Sequence, residues 1–241
     1  MRKLNVLAIC EESQEICKAF RELGHNAWSC DLQECSGQHP EWHVKGDFFT
    51  NIKYVKGLGH TFVTMDGICH IIPDWDMIIC FPPCTYLANT GSKYLNEDVY
   101  GQRAVERKQQ RKEAIDFFMK IVGYCEVFTD HYAIENPLGC MSKEFREPDQ
   151  IIQPWFWGDN VQKSTCLWTK GLPNLTPSII ERPAQDLVTY VDKNGAEKQM
   201  ERFFYETRFL PTDKRRKQRS KTFPNVAKAI AEQWSQVLLS E

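Results

Sequence analysis

Two short runs carry the residue types that could do chemistry. The first is Trp75-Asp76-Met77-Ile78-Ile79-Cys80-Phe81-Pro82-Pro83-Cys84, an apolar stretch that ends on two prolines and a cysteine. Met77 to Phe81 is predicted as a short, fully buried strand, and prolines cannot continue a ladder, so the chain must leave the sheet there. The second is Tyr132-Ala133-Ile134-Glu135-Asn136-Pro137, a strand that again stops on polar residues and a proline. In open α/β sheets, ligands bind outside the carboxyl ends of the strands. Neighbouring strands would then bring a thiol and a carboxyl to one edge, a pairing suited to nucleophilic attack assisted by an acid or base.

The elements before these runs must build the rest of the pocket. Leu4 to Cys10 is predicted as a strand, followed by the turn Glu11-Glu12-Ser13 and a helix from Gln14 to Leu23, with Ile16, Ala19, Phe20 and Leu23 on its apolar face. Ser13 is a suitable N-cap and Gly24 a suitable stop. A second strand, Asn26 to Cys30, ends on Asp31, about 20 residues after the first turn, where nucleotide-binding α/β folds place the acid for ribose hydroxyls. The first turn lacks the glycines that a pyrophosphate needs, so a nucleoside without phosphate fits better. S-adenosylmethionine is such a ligand, and its cationic end suits Glu11 and Glu12, although acids in a first turn also complement the helix dipole unaided. Asp47, after Gly46, could cap a turn or contact an adenine.

Further along, a long helix is expected from Gln102 to Tyr124, with Ile115, Phe118, Met119 and Val122 inward. Its basic surface, Arg103, Arg107, Arg111 and Lys112, is either a solvated face or a substrate contact. Thr165 to Trp168 is predicted as another strand. From Leu172 to Leu210 the pattern breaks up around Pro173, Pro177 and Pro183, with a hairpin expected at Lys193-Asn194-Gly195 and the aromatics Phe203, Phe204 and Tyr205. A basic run, Asp213 to Lys221, precedes a closing helix from Asn225 to Leu239 with Val226, Ile230, Trp234, Val237 and Leu238 on its buried face. His60 to His70 follows neither period. The organisation expected is an α/β domain over 1–171, a small lobe over 172–221 and a helix over 222–241 that returns to the first domain.

The 241 residues suffice for that arrangement, and the net charge of -2 hides the local basic cluster Lys214, Arg215, Arg216, Lys217, Arg219 and Lys221. The 10 cysteines follow no signal peptide, so a reducing, cytoplasmic setting is expected. No tight Cys-x-x-Cys pair occurs, and no metal is expected. No apolar run approaches the roughly 18 residues of a membrane span.

A thiol at one strand end, Glu-Asn at the next and an adenosylmethionine pocket make sense for one reaction in particular. Attack of a thiolate on carbon 6 of cytosine makes carbon 5 an enamine-like nucleophile able to take a methyl group. With these residues in that order, the chain resembles the DNA cytosine-5 methyltransferases, in particular their small phage-encoded members. Val6-Leu7-Ala8-Ile9-Cys10-Glu11-Glu12-Ser13 stands at the family's first cofactor loop, without its Phe-x-Gly. Asp31 and Asp47 match its ribose and adenine acids, Pro82-Pro83-Cys84 its Pro-Cys loop, and Glu135-Asn136-Pro137 its Glu-Asn-Val. Gln162-Lys163-Ser164-Thr165-Cys166-Leu167 is similar to its Gln-x-Arg-x-Arg strand, with Lys163 the cation that remains, and Asn225 to Trp234 is similar to its closing segment.

The resemblance implies a class I adenosylmethionine-dependent, Rossmann-like α/β sheet with a small recognition lobe. It implies Cys84 as nucleophile, Glu135 as the group holding the base and Lys163 beside them. Cys10, Glu11, Glu12, Ser13, Asp31, Leu32, Asp47, Phe48, Pro82 and Asn225 would hold S-adenosyl-L-methionine. Double-stranded DNA with a flipped cytosine would meet Pro83, Asn136, Arg202, Arg208, Lys214, Arg215 and Arg216, with salt-dependent binding through the basic residues. Phe203 or Tyr205 would fill the gap left by the flipped base or simply pack the lobe. Two other readings stay open: the same chemistry on a free pyrimidine nucleotide or with another transferred group, and a catalytically silent DNA-binding relative.

Overall fold

The computed structural model describes residues 2–240. The chain opens with β1 (Asn5–Ile9), α1 (Glu15–Glu22), β2 (Asn26–Asp31), β3 (His43–Lys45) and α2 (Phe48–Asn51). Three short strands follow, β4 (Lys53–Val55), β5 (Gly59–Val63) and β6 (Cys69–Ile72), then β7 (Met77–Cys80), the strand that precedes Pro82-Pro83-Cys84. Next come α3 (Glu97–Tyr100), α4 (Gln102–Phe128), β8 (Tyr132–Pro137), α5 (Met141–Glu144), β9 (Gln150–Ile152) and β10 (Thr165–Lys170). The lobe holds β11 (Leu187–Val191), β12 (Glu197–Glu201), α6 (Arg202–Thr207) and α7 (Thr212–Ser220), and α8 (Pro224–Ser240) closes the chain.

Seven strands form the central sheet in the order β3-β2-β1-β7-β8-β10-β9, all parallel except β10, which runs against both neighbours. Each strand alternates between two buried faces, as period 2 requires. Val6, Ala8, Met77, Ile79 and Ala133 pack against α1 and α8 through Phe20, Ile230 and Trp234. Leu7, Ile9, Ile78, Cys80 and Ile134 pack on the other side against Phe118 and Ile121 of α4 and against Trp168. No described helix is long and apolar enough to cross a membrane.

The helix ends differ instructively from expectation. Gly24 stops α1 as predicted, at φ +86 with its amide on Arg21 and the His25 amide on Phe20, the double bond pattern of a Schellman cap. The N-terminus is capped differently: Ser13 is buried, Gln14 takes φ 60, and the Glu11 carboxylate accepts from the Ile16 and Cys17 amides at 2.6 and 3.4 Å. Helix α4 runs four residues beyond Tyr124, and its inward stripe is Phe118, Ile121, Val122 and Cys125, while Met119 is exposed. The stripe follows i, i+3, i+4, i+7, and Met119 lies a step of about 100° off it. The His60–His70 segment, legible in neither period, is a hairpin of the separate sheet β4-β5-β6, whose Phe62 stacks on Trp75 and meets Trp28 edge-on.

The lobe hairpin turns where Lys193-Asn194-Gly195 predicts, with Asp192 accepting from the Asn194 and Ala196 amides. Leu175, just inside the segment assigned to the lobe, is buried beside α8 and bonded through both backbone groups to the Gln150 side chain.

Candidate active site

The carboxyl ends of β7 and β8 lie side by side, with Cys80 paired to Ile134. Beyond them the chain leaves the sheet at Pro82-Pro83-Cys84 on one strand and carries Glu135 on the other. Glu135, Lys163, Thr165 and Leu167 line one pocket with Phe81, with Phe223 just before α8, and with Val226 and Ile230 on it. Cys84 is partly buried beside this pocket without lining it, close enough for both charged groups to act on its thiol. Burial raises the Cys84 thiol above its ordinary pKa, the Glu135 charge raises it further, and Lys163 opposes them. The Glu135 carboxyl is likewise raised by burial, against Lys163 and a hydrogen bond from Thr165. A carboxyl that holds its proton to higher pH is what acid-assisted thiolate addition requires, and Lys163 is the charge that favours the Cys84 thiolate against burial and Glu135.

Asn136 plays another part than the sequence suggests. Successive strand residues face opposite sides of a sheet, so Glu135 meets the pocket while Asn136 is turned away, fully buried. Its Nδ2 donates to the Pro82 carbonyl at 2.8 Å, and its Oδ1 is buried with no hydrogen-bond partner. It therefore ties the Glu135 strand to the Cys84 loop. Pro82 is buried at this join, whereas Pro83 is exposed.

Gly139, which sequence reasoning passed over, makes a second tie. The Ala88–Gly139 bridge and the Cys140 amide on the Leu87 carbonyl at 2.9 Å hold the two loops together. A Cβ at Gly139 would lie 2.1 Å from that carbonyl oxygen. Gly139→Ala is therefore expected to force the Cys84 and Glu135 loops apart and to cost about 1–3 kcal/mol in urea unfolding, as overpacking does. An unchanged midpoint would show that the loops separate freely.

On the other side of the sheet edge, Cys10, Asp31 and Asp47 come together at the ends of β1, β2 and β3. The Cys10 thiol is pushed up to about 12 by burial and by the charges of Asp31 and Asp47. Cys10 takes φ 60, left-handed backbone that a glycine would adopt without cost. Asp31 accepts from the Gln33 amide at 2.8 Å through Oδ1, and Leu32 beside it is 73% exposed. Asp47 caps α2 through the Phe49 amide. An acid at the β2 end, an exposed leucine and a second acid at the β3 end suit a ribose and a purine face, so Asp31, Leu32, Asp47 and Cys10 fit the nucleoside half of adenosylmethionine.

The other expected cofactor residues make contacts within the chain. Glu11 is buried on the α1 amides, and burial pushes its carboxyl up to about 8. Glu12 is ion-paired with Lys217 of α7 at 3.1 Å. Phe48 packs edge-on against Tyr124 in the core, because its helix turns it inward. Asn225 is exposed at the start of α8, bonded to the Asp159 carboxylate.

In the lobe, Arg202 is paired with Asp186 at 2.8 Å, and the Arg208 guanidinium is stacked by Tyr205, Tyr190 and Phe209 at 4.1, 4.3 and 4.7 Å. Phe203 packs on Phe204 and Phe223, and Tyr205 on Tyr190 and Phe209. Arg215 is partly buried and donates to the Arg208 carbonyl. Lys214 and Arg216 are exposed on α7, while Lys217 and Lys221 turn back to Glu12 and Glu15.

A parallel sheet in this order, with one reversed strand next to its edge, is the class I adenosylmethionine-dependent methyltransferase fold. Among solved structures the chain is similar to EhMeth, a methyltransferase of Entamoeba histolytica, at 14% identity over 78% of this chain and 59% of that one, with a TM-score of 0.43. It is also similar to a candidate DNA modification methyltransferase encoded within a prophage of E. coli, at 14% identity over 75% and 52%, with a TM-score of 0.41. The chain thus spans between half and three fifths of the length of these two structures. No protein-family model and no curated protein matches the sequence.

Proposed function

We propose that the chain is a DNA (cytosine-5)-methyltransferase in which Cys84 attacks the base, Glu135 holds and protonates it, and Lys163 meets its carbonyl. The observation that carries this reading is the placement of Glu135 and Lys163 in one pocket with the Cys84 thiol within the field of both. The Cys84 thiolate adds to carbon 6 of cytosine as Glu135 gives its proton to N3, which leaves carbon 5 nucleophilic. Adenosylmethionine, held by Asp31, Leu32, Asp47 and Cys10, would supply the electrophilic methyl group. With adenosylhomocysteine as the leaving group, N3 returns its proton to Glu135, water takes the carbon 5 proton, and cleavage of the S–C6 bond restores the aromatic ring and the Cys84 thiolate. Lys214 and Arg216, exposed on α7, would contact phosphates.

The test is transfer of labelled methyl groups from adenosylmethionine to duplex DNA and, in parallel, to deoxycytidine nucleotides. Label recovered as 5-methylcytosine in the duplex is the expected result. Label on the free nucleotide alone would move the substrate off DNA, and label on neither would leave a binding protein without this activity.

A further inference from the structure

The arginines of α4 look, in the sequence, like a basic face open to solvent or phosphate. In the folded chain two of them are used up on the loop that carries Cys84. Arg107 Nη2 donates to the Thr85 carbonyl at 3.1 Å, and its guanidinium lies 5.1 and 5.4 Å from the ring centres of Tyr86 and Tyr94. Arg111, one turn on and on the same face, donates through Nε to the Tyr86 carbonyl at 2.8 Å and through Nη2 to Ser92 Oγ at 3.1 Å. The carbonyls of both residues that follow Cys84 are therefore held by cations on a single rigid helix. The Cys84 carbonyl itself accepts from the Leu87 and Ala88 amides, so a short turn links the thiol to the clamped segment. Gly91 is buried against this clamp, and a Cβ there would lie 2.4 Å from Arg107 Nη2.

We infer that Arg107 and Arg111 are positioning residues, which fix the backbone after Cys84 so that its thiol is presented beside the Glu135 pocket. The inference rests on the reading of Cys84 as the reacting group. It assigns these arginines to the loop and removes them from the pool of phosphate contacts. Their bonds are to backbone carbonyls and a hydroxyl, and the charge that opposes the rise of the Cys84 thiol comes from Lys163. The clamp thus acts on geometry and not on the ionisation of the thiol.

The test follows Cys84 alkylation by iodoacetamide, mapped by peptide mass, together with hydrogen exchange at the Leu87, Ala88 and Gly91 amides. Neither readout needs DNA or methyl transfer, so failure of the clamp and failure of the methyltransferase reading are separately visible. Arg107→Ala/Arg111→Ala should speed exchange at these amides by about tenfold, the loss expected when charged hydrogen bonds are removed. The alkylation rate should change with it, while the pH at half-maximal alkylation stays where it is. Gly91→Ala, which alters no charge and displaces only the tip of Arg107, should reproduce part of the effect. Unchanged exchange in both variants would overturn the inference, as would a shift of the alkylation midpoint to higher pH, which would make the arginines electrostatic partners of the thiol. Wild-type exchange with duplex binding weakened would return them to the phosphate-contact role.

Discussion

Cys84→Ser is expected to abolish the covalent adduct that the wild-type protein forms with a duplex carrying 5-fluorocytosine, and to lower methyl transfer by at least about a thousandfold. Once carbon 5 has taken the methyl group from adenosylmethionine, its fluorine cannot leave as a proton does, so the S–C6 bond persists and the protein remains on the DNA through denaturing electrophoresis. Serine nearly preserves the size of the side chain, so the loop should stay in place, but a hydroxyl ionises far too weakly to add to the ring. The pH dependence has a defined sign. Burial and the Glu135 charge keep Cys84 protonated above the usual cysteine range, so adduct formation should climb with pH as the thiolate appears. The Glu135 carboxyl, also raised by burial, imposes the opposing limb as it loses its proton. An adduct that survives in Cys84→Ser would mean that another cysteine is the nucleophile.

Glu135→Gln is the second large effect. Loss of a positioned acid typically lowers turnover by about 10²–10⁴-fold, and a decrease in that range is expected for methyl transfer. Adenosylmethionine affinity, read by calorimetry, should stay within about twofold, because Asp31 and Asp47 lie at other strand ends; a binding change of that size is only a few tenths of a kcal/mol. The same variant tests the coupling of the two groups without any turnover. The Glu135 charge raises the Cys84 thiol, so its removal should move iodoacetamide alkylation of Cys84 to lower pH. If turnover hardly moves and the alkylation profile is unchanged, Glu135 is a structural carboxyl and the pocket has another use.

The strand ends at Pro82 and Pro137 were legible in the sequence because proline is incompatible with a continuing ladder, and β8 has the bounds expected of it. The closing helix and the α1 stop at Gly24 were legible for the same kind of local reason. The roles of Asn136, Gly139, Arg107 and Arg111 were not. Each depends on which residues from distant segments come within a few ångströms: Pro82 for Asn136, Leu87 for Gly139, Thr85 and Tyr86 for the arginines. That Glu11 caps its own helix was not legible either, because a first-turn acid carries no mark of whether it faces out or folds back onto the helix.

The division follows from what each level of structure depends on. Local backbone chemistry and hydrophobic period, both written in neighbouring residues, determined the alternation of strands and helices, the stops after β7 and β8, and with them the arrival of Cys84 and Glu135 at one edge. Only the tertiary structure decided the insertion of β10 in reverse between β8 and β9, which brings Thr165 to Glu135 together with Lys163, a neighbour that the family resemblance alone implied. It alone also decided the folding of α7 back so that Lys217 reaches Glu12, and the use of α4 arginines as a loop clamp. These contacts are set by long-range packing and by where desolvated charges find partners, and neighbouring residues contain no record of either.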